Sequence, residues 1–179
     1  MMGMVFTELL DMVESQFSLD VVDAIIERSG AQGSYTSVGN YTDEELVKIV
    51  VALSEESGIA VPDLLHHYGT HLFQRFVALY PQFFAPHKTA PGFLVGLESH
   101  VHTEVRKLYT NARPPLFTFA EQDNGTIFLD YQSQRGFWQF AKGLLEACLL
   151  YYGGEMVVQE AHDLSDGAGT HVRFVLASA

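Results

Sequence analysis

Apolar side chains recur at helical spacing through the first two-thirds of the chain and alternate like strands through most of the last third. Residues 2–16 and 19–29 carry two such helical runs, and Gly30 closes the second. A patternless polar stretch, 31–41, separates them from a third run. There Thr42 and Glu45 have capping-box spacing, and the helix continues to about residue 56. Pro62 opens a fourth helix that lasts until Pro81. Pro81, Pro86 and Pro91 bar regular helix over 81–92. A fifth helix covers roughly 92–109, and Pro114–Pro115 prevents its continuation. The period then changes. Segments 116–121 and 126–133 flank Asp123-Asn124-Gly125, a hairpin turn signal. A helix over 137–152 ends at Gly153–Gly154, and strands near 156–161 and 171–177 surround the Gly167–Gly169 turn. The expected fold is α+β: an N-terminal helical part, then an antiparallel sheet with one long intervening helix. No repeat or linker interrupts it, so residues 1–179 read as a single domain.

Charge narrows the function. A net charge of −12, with basic residues scattered, disfavours a nucleic-acid partner. No apolar run is long enough to span a membrane. The N-terminus carries Glu8, Asp11 and Glu14 without a basic region, which reads as an amphipathic helix and not a leader. Cys148 is the only cysteine, so an intrachain disulfide and a cysteine zinc cage are both excluded, which suits a reducing cytoplasm.

Three groups of residues carry possible chemistry. On the helix at 92–109, a turn of about 100° per residue gathers Leu94, Leu97, Val101, Val105 and Leu108 into one apolar stripe. His100 faces away from it, while His102 sits at its edge, either leaning into a pocket or simply half-buried. Second, Tyr131, Ser133 and Arg135 fall at i, i+2 and i+4 near the end of a strand. One guanidinium and two hydroxyls in a row suit a dianionic ligand, and a solvated strand face would look the same. Third, His67 and His71 have the i, i+4 spacing of zinc ligands, beside His66, but HEXXH and an acidic ligand are absent. His162 and His171 lack thiol company. No Gly-x-Ser-x-Gly or phosphate-cradling loop occurs, and Cys148 lies in a leucine-rich helix as a core residue would.

Taken in order along the chain, these residues resemble the haem–nitric oxide/oxygen binding family, the sensor domain shared with soluble guanylate cyclases. The likeness runs from Met1-x-Gly3, Val5 and Asp11-Met12-Val13 through Tyr68-Gly69-Thr70-His71-Leu72-Phe73. It continues with Gly96-Leu97-Glu98-Ser99-His100-Val101-His102-Thr103-Glu104-Val105, Lys107-Leu108-Tyr109, Pro114-Pro115, Tyr131-x-Ser133-x-Arg135 and Gly143-Leu144-Leu145.

The resemblance implies haem b buried between the helical part and the sheet, with His102 as the proximal iron ligand in preference to His100. Tyr131, Ser133 and Arg135 would hold the propionates, and Pro115 would press on the macrocycle. Val5, Leu9, Leu72, Phe140 and Leu144 would form the distal wall. Oxygen-binding relatives place a tyrosine five residues after the arginine, where this chain has Phe140, so nitric oxide and carbon monoxide are the expected ligands. His71, beside Leu72, is the one residue that a small helix rotation would turn into a distal donor. The family's cysteine-held zinc is not expected, because only His162 is kept and Ser165 stands where a thiol would be sought. The implied function is a nitric oxide sensor that releases His102 and regulates a separate protein, a histidine kinase or cyclic-di-GMP enzyme, since the sequence ends without an output domain. Two alternatives stay open: a carrier or sensor of an apolar carboxylate using Arg135, and a metalloenzyme on His67 and His71. An absorption spectrum tells haem from both, and a metal assay then separates the two.

Overall fold

Local chemistry sets the helix boundaries. The structure is a computed structural model and describes residues 1–109 and 112–179. Helix α1 (Gly3–Gln16) is followed by α2 (Leu19–Ser29), which starts where the Ser18 hydroxyl accepts from Val21 N–H and stops at left-handed Gly30. In α3 (Asp43–Ser57) Thr42 Oγ1 accepts from Glu45 N–H. The capping box is only half made, because the Glu45 carboxylate turns away to accept from Gln32 N–H and the Tyr35 hydroxyl. Pro62 lies in the first turn of α4 (Val61–Leu79).

Two expectations needed correction. Pro81 does not bar helix: its fixed φ suits a first turn, and it opens the short α5 (Pro81–Phe84). The fifth helix is not continuous. Thr89 caps α6 (Ala90–Gly96), a π-helical segment follows (Leu97–His102), and α7 (Thr103–Leu108) completes it. The segment's i→i+5 bonding is the kind of irregularity that gathers at functional positions.

Strands β1 (Leu116–Glu121) and β2 (Ile127–Gln132) form the expected hairpin, with Gly125 at φ 80° in its turn. Helix α8 (Trp138–Tyr151) precedes β3 (Met156–Asp163) and β4 (His171–Ser178). All pairings are antiparallel and the sheet order is β1-β2-β4-β3. Alternation buries Ile127, Leu129 and Tyr131 of β2 with Val172, Phe174 and Leu176 of β4. On the opposite face Asp130 receives a bidentate pair from Arg173, at 2.7 and 2.8 Å. No described helix is long and apolar enough to cross a membrane.

Two apolar cores result, one among α1–α4 and one between the sheet, α6 and α8. Helices α4 and α8 join them. Each puts a glycine at the crossing: a Cβ on Gly69 would strike the Phe140 carbonyl oxygen, and one on Gly143 the His66 carbonyl oxygen. The backbones meet there because neither residue has a side chain. That close approach leaves Leu72 of α4 and Phe140 and Leu144 of α8 facing a cavity along the seam of the two cores.

Candidate functional site

The cavity is lined almost wholly by apolar side chains and holds about 1590 Å³ of non-atom space, its mouth included. A mostly apolar concave lining with a few placed polar groups is the usual make-up of a small-molecule or cofactor site. His102, Pro115, Tyr131, Ser133, Arg135, Val5, Leu72, Phe140 and Leu144 all line it. Leu9 does not. It faces inward from α1 and is 1% exposed in the helical core, because the pocket side of that helix belongs to Val5.

His102 is the last residue of the π segment, with a side chain 12% exposed. In the segment each residue turns the chain by less than the α-helical 100°, so His102 falls beside Leu97 and Val101 on the cavity wall, closer than a regular wheel places it. Its Nδ1 is 2.6 Å from Glu98 Oε1. With a carboxylate as acceptor, Nδ1 carries the proton, and Nε2 has no hydrogen-bond partner among the described residues. Burial pushes the imidazole pKa down against the pull of Glu98, which favours the neutral form that binds metals. His100 points elsewhere, exposed and hydrogen-bonded to the Ser99 hydroxyl. The Leu108 side chain lies outside the described residues.

The row of Tyr131, Ser133 and Arg135 converges on the cavity by a different route from the one its spacing suggests. Strand β2 ends at Gln132, and Ser133 and Arg135 sit in the turn that follows, closed by Gly136 at φ 65°. There Arg135 N–H donates to the Ser133 hydroxyl. The Arg135 guanidinium pairs with Asp43 through Nε at 2.5 Å and donates from Nη1 to the Arg113 carbonyl. Asp43 Oδ1 makes no hydrogen bond among the described residues and lies 3.6 Å from the Met1 ammonium. Burial raises the Tyr131 pKa, which keeps that hydroxyl a donor.

The other histidines are committed elsewhere. His71 is absent from the cavity wall. It faces α1, its Nε2 buried without a partner near Glu8 and Arg75, and burial lowers its pKa. Glu8 and Arg75 themselves form a bidentate pair at 2.6 and 3.2 Å. His67 bonds Gln16, His66 bonds Glu146, His162 pairs with Glu160, and His171 approaches Asp130. No metal-binding group of three such side chains occurs among the described residues. The Cys148 thiol is buried and its pKa pushed up to about 12, which suppresses the reactive thiolate.

These donors fit an iron porphyrin. An imidazole with one nitrogen unpartnered among the described residues lines the cavity, together with the Arg135 guanidinium and the Tyr131 and Ser133 hydroxyls, which could hold carboxylates, and apart from Tyr80, Tyr109 and Arg113 the rest of the lining is mainly apolar. Glu98 and Asp43 were not singled out from the sequence. The i, i+4 spacing of Glu98 and His102 was the available signal for the first; nothing local pointed to the second, which is 92 residues from its partner.

Comparison with known proteins agrees. The family described as Haem-NO-binding matches residues 2–160. Soluble guanylate cyclase gcy-35 of Caenorhabditis elegans is 28% identical over 98% of this chain, which spans 27% of that protein's length. The Fe(II) unliganded H-NOX protein from K. algicida is 32% identical with a TM-score of 0.91, covering all of this chain and 97% of that one. The H-NOX from Shewanella woodyi, solved in the Fe(II)CO ligation state, is 35% identical with a TM-score of 0.84 and covers 100% and 95%. The chain belongs to the Haem-NO-binding family, and it is a haem-binding gas-sensor domain and not an enzyme.

Proposed function

We propose that residues 1–179 act as one sensor domain for nitric oxide, with His102 Nε2 as the axial ligand of haem b. Haem, when bound, would supply the iron that takes a diatomic gas, and His102, Tyr131, Ser133 and Arg135 would hold it. The observation that carries this reading is the largely enclosed His102 on the wall of an apolar cavity, its Nδ1 2.6 Å from Glu98 Oε1. Sensing would release His102, and with it the π segment, and Pro115, which lines the same cavity, would contact the bound macrocycle. The switch works only as far as the gas binds the two states differently. Carbon monoxide is a second expected ligand, and the S. woodyi protein was solved with it. A histidine kinase or cyclic-di-GMP enzyme of the cytoplasm is the proposed signalling partner, on the family likeness.

Gas choice rests on the distal wall. Val5, Leu72, Phe140 and Leu144 bring no hydrogen-bond donor, and His71 turns away. Bound dioxygen gains superoxide-like charge and needs such a donor, whereas nitric oxide needs little help. Reduced protein should therefore bind nitric oxide and carbon monoxide yet form no lasting oxygen adduct. Exposing it to air while following the visible bands over minutes tests this, and a persistent oxy-type spectrum would refute the reading.

Tyr131, Ser133 and Arg135 are proposed to bind the propionates. A hydrogen bond to a charged group is worth about 1.5–3 kcal/mol, so Arg135→Ala should speed haem loss roughly 10–100-fold. Tyr131→Phe and Ser133→Ala should each do less. Transfer of haem to an acceptor protein gives the rates. If the triple variant kept haem like the parent, these residues would not be the clamp.

A further inference from the structure

Glu98 makes more contacts than its place on the π segment requires. Oε1 accepts from His102 Nδ1 at 2.6 Å and from the Phe117 backbone N–H of β1 at 3.0 Å. Oε2 receives the Arg106 guanidinium of α7 at 3.2 Å. Its backbone carbonyl accepts from the Thr103 hydroxyl at 3.0 Å. One carboxylate therefore ties together the π segment, α7 and the edge strand of the sheet. Phe117 is two residues beyond Pro115, and its ring lies 6.0 Å from that of His102.

We propose that Glu98 is the positioning residue of the proximal wall, holding the Nδ1 proton of His102 and the Phe117 N–H with one carboxylate. In that place it sets how strongly His102 binds iron and carries His102's displacement into β1. The proposal rests on the reading of His102 as the axial ligand. A carboxylate accepting from Nδ1 fixes the tautomer, orients the ring and raises the basicity of Nε2, as in other carboxylate–histidine–metal arrangements. The donor–acceptor separation of 2.6 Å is at the short end for a charge-assisted bond. Because Oε1 is shared, a His102 that swings away while still bonded to Glu98 draws Oε1 off the Phe117 N–H. The strand that starts just after Pro115 thus registers movement of the imidazole directly.

The test uses the full chain with ferrous haem and the variants Glu98→Gln and Glu98→Ala. Glutamine keeps the shape and an acceptor oxygen but loses the charge, so it guards against mere misfolding. Resonance Raman spectroscopy reads the iron–histidine stretching band. Its frequency should fall in the order Glu, Gln, Ala. The rate of His102 release after nitric oxide addition should rise in the same order, by roughly tenfold or more for alanine. Amide exchange at Phe117 should quicken in both variants. An unchanged stretching frequency across the three proteins overturns the proposal, even if the variants melt earlier, because a merely structural role would move the melting temperature alone. If the parent shows no iron–histidine band and His102→Gly leaves its spectrum unaltered, the axial assignment itself fails.

Discussion

His102→Gly is expected to leave the protein folded but unable to retain haem unless free imidazole is supplied. The substitution removes the one cavity-wall imidazole whose Nε2 is uncommitted, and it also empties the space that an added imidazole would need. Glu98 keeps two other partners, the Phe117 N–H and Arg106, so its charge is not stranded. Glycine near the end of the π segment costs about 1 kcal/mol of helix stability, too little to unfold a domain. Outer-shell partners of metal ligands are worth about 10–100-fold in affinity, so loss of the ligand itself should exceed that. Soret absorbance per protein, with and without imidazole, measures the effect. His100→Ala is the control and should be silent, since His100 is exposed and touches Ser99. A full haem complement and unchanged ferrous spectrum in His102→Gly would remove His102 from the site.

The second large effect is expected far from the iron. In an exposed helix, exchanging glycine for alanine gains about 1 kcal/mol. At Gly143 the sign should invert. The new Cβ would meet the His66 carbonyl oxygen, a backbone atom that no side-chain rotation can move aside. Helices α4 and α8 would have to part, and overpacking of this kind costs about 1–3 kcal/mol. We expect Gly143→Ala to lower stability by about 2 kcal/mol, read as a lower urea midpoint. The shift would reach the site too, because Phe140 and Leu144 lie on the same helix as Gly143 and line the cavity. A changed carbonyl stretch in the carbon monoxide complex should accompany the lost stability. A variant as stable as the parent, or more so, would show that the crossing has slack.

Much of this was legible in the residues themselves. The Thr42 cap, the stop at Gly30 and the turn at Gly125 depend on neighbours in sequence; the polar row of Tyr131, Ser133 and Arg135 hid the fact that Ile127, Leu129 and Tyr131 form the buried face of β2. Nine cavity-lining residues are among those the family likeness points to, whereas others such as Phe76, Tyr80 and Arg113 carry no signal in the sequence and Leu9 does not line the cavity. What could not be read depends on contacts between distant segments. The Asp43–Arg135 pair links α3 to the turn after β2. The inward side of α1 divides between core and cavity, and periodicity alone does not say where the division falls, so Leu9 was placed on the wrong side of it. His71 was left open for the same reason. The wide turn at 97–102 escaped because a helical wheel assumes one angle throughout.

That wide turn has an evolutionary corollary. A π-helical stretch is an α-helix that has absorbed one extra residue, and such stretches are usually single-turn bulges. Deleting one residue between Glu98 and His102 would let α6 and α7 fuse into an uninterrupted helix with the facing of Thr103–Leu108 preserved. A deletion elsewhere in the same helix would instead rotate everything beyond it by about 100°. Lineages that lost the residue would thus keep the fold and a histidine facing the cavity. The carboxylate would then stand three positions from its histidine, and its reach to both the imidazole and β1 would have to be found again by another side chain.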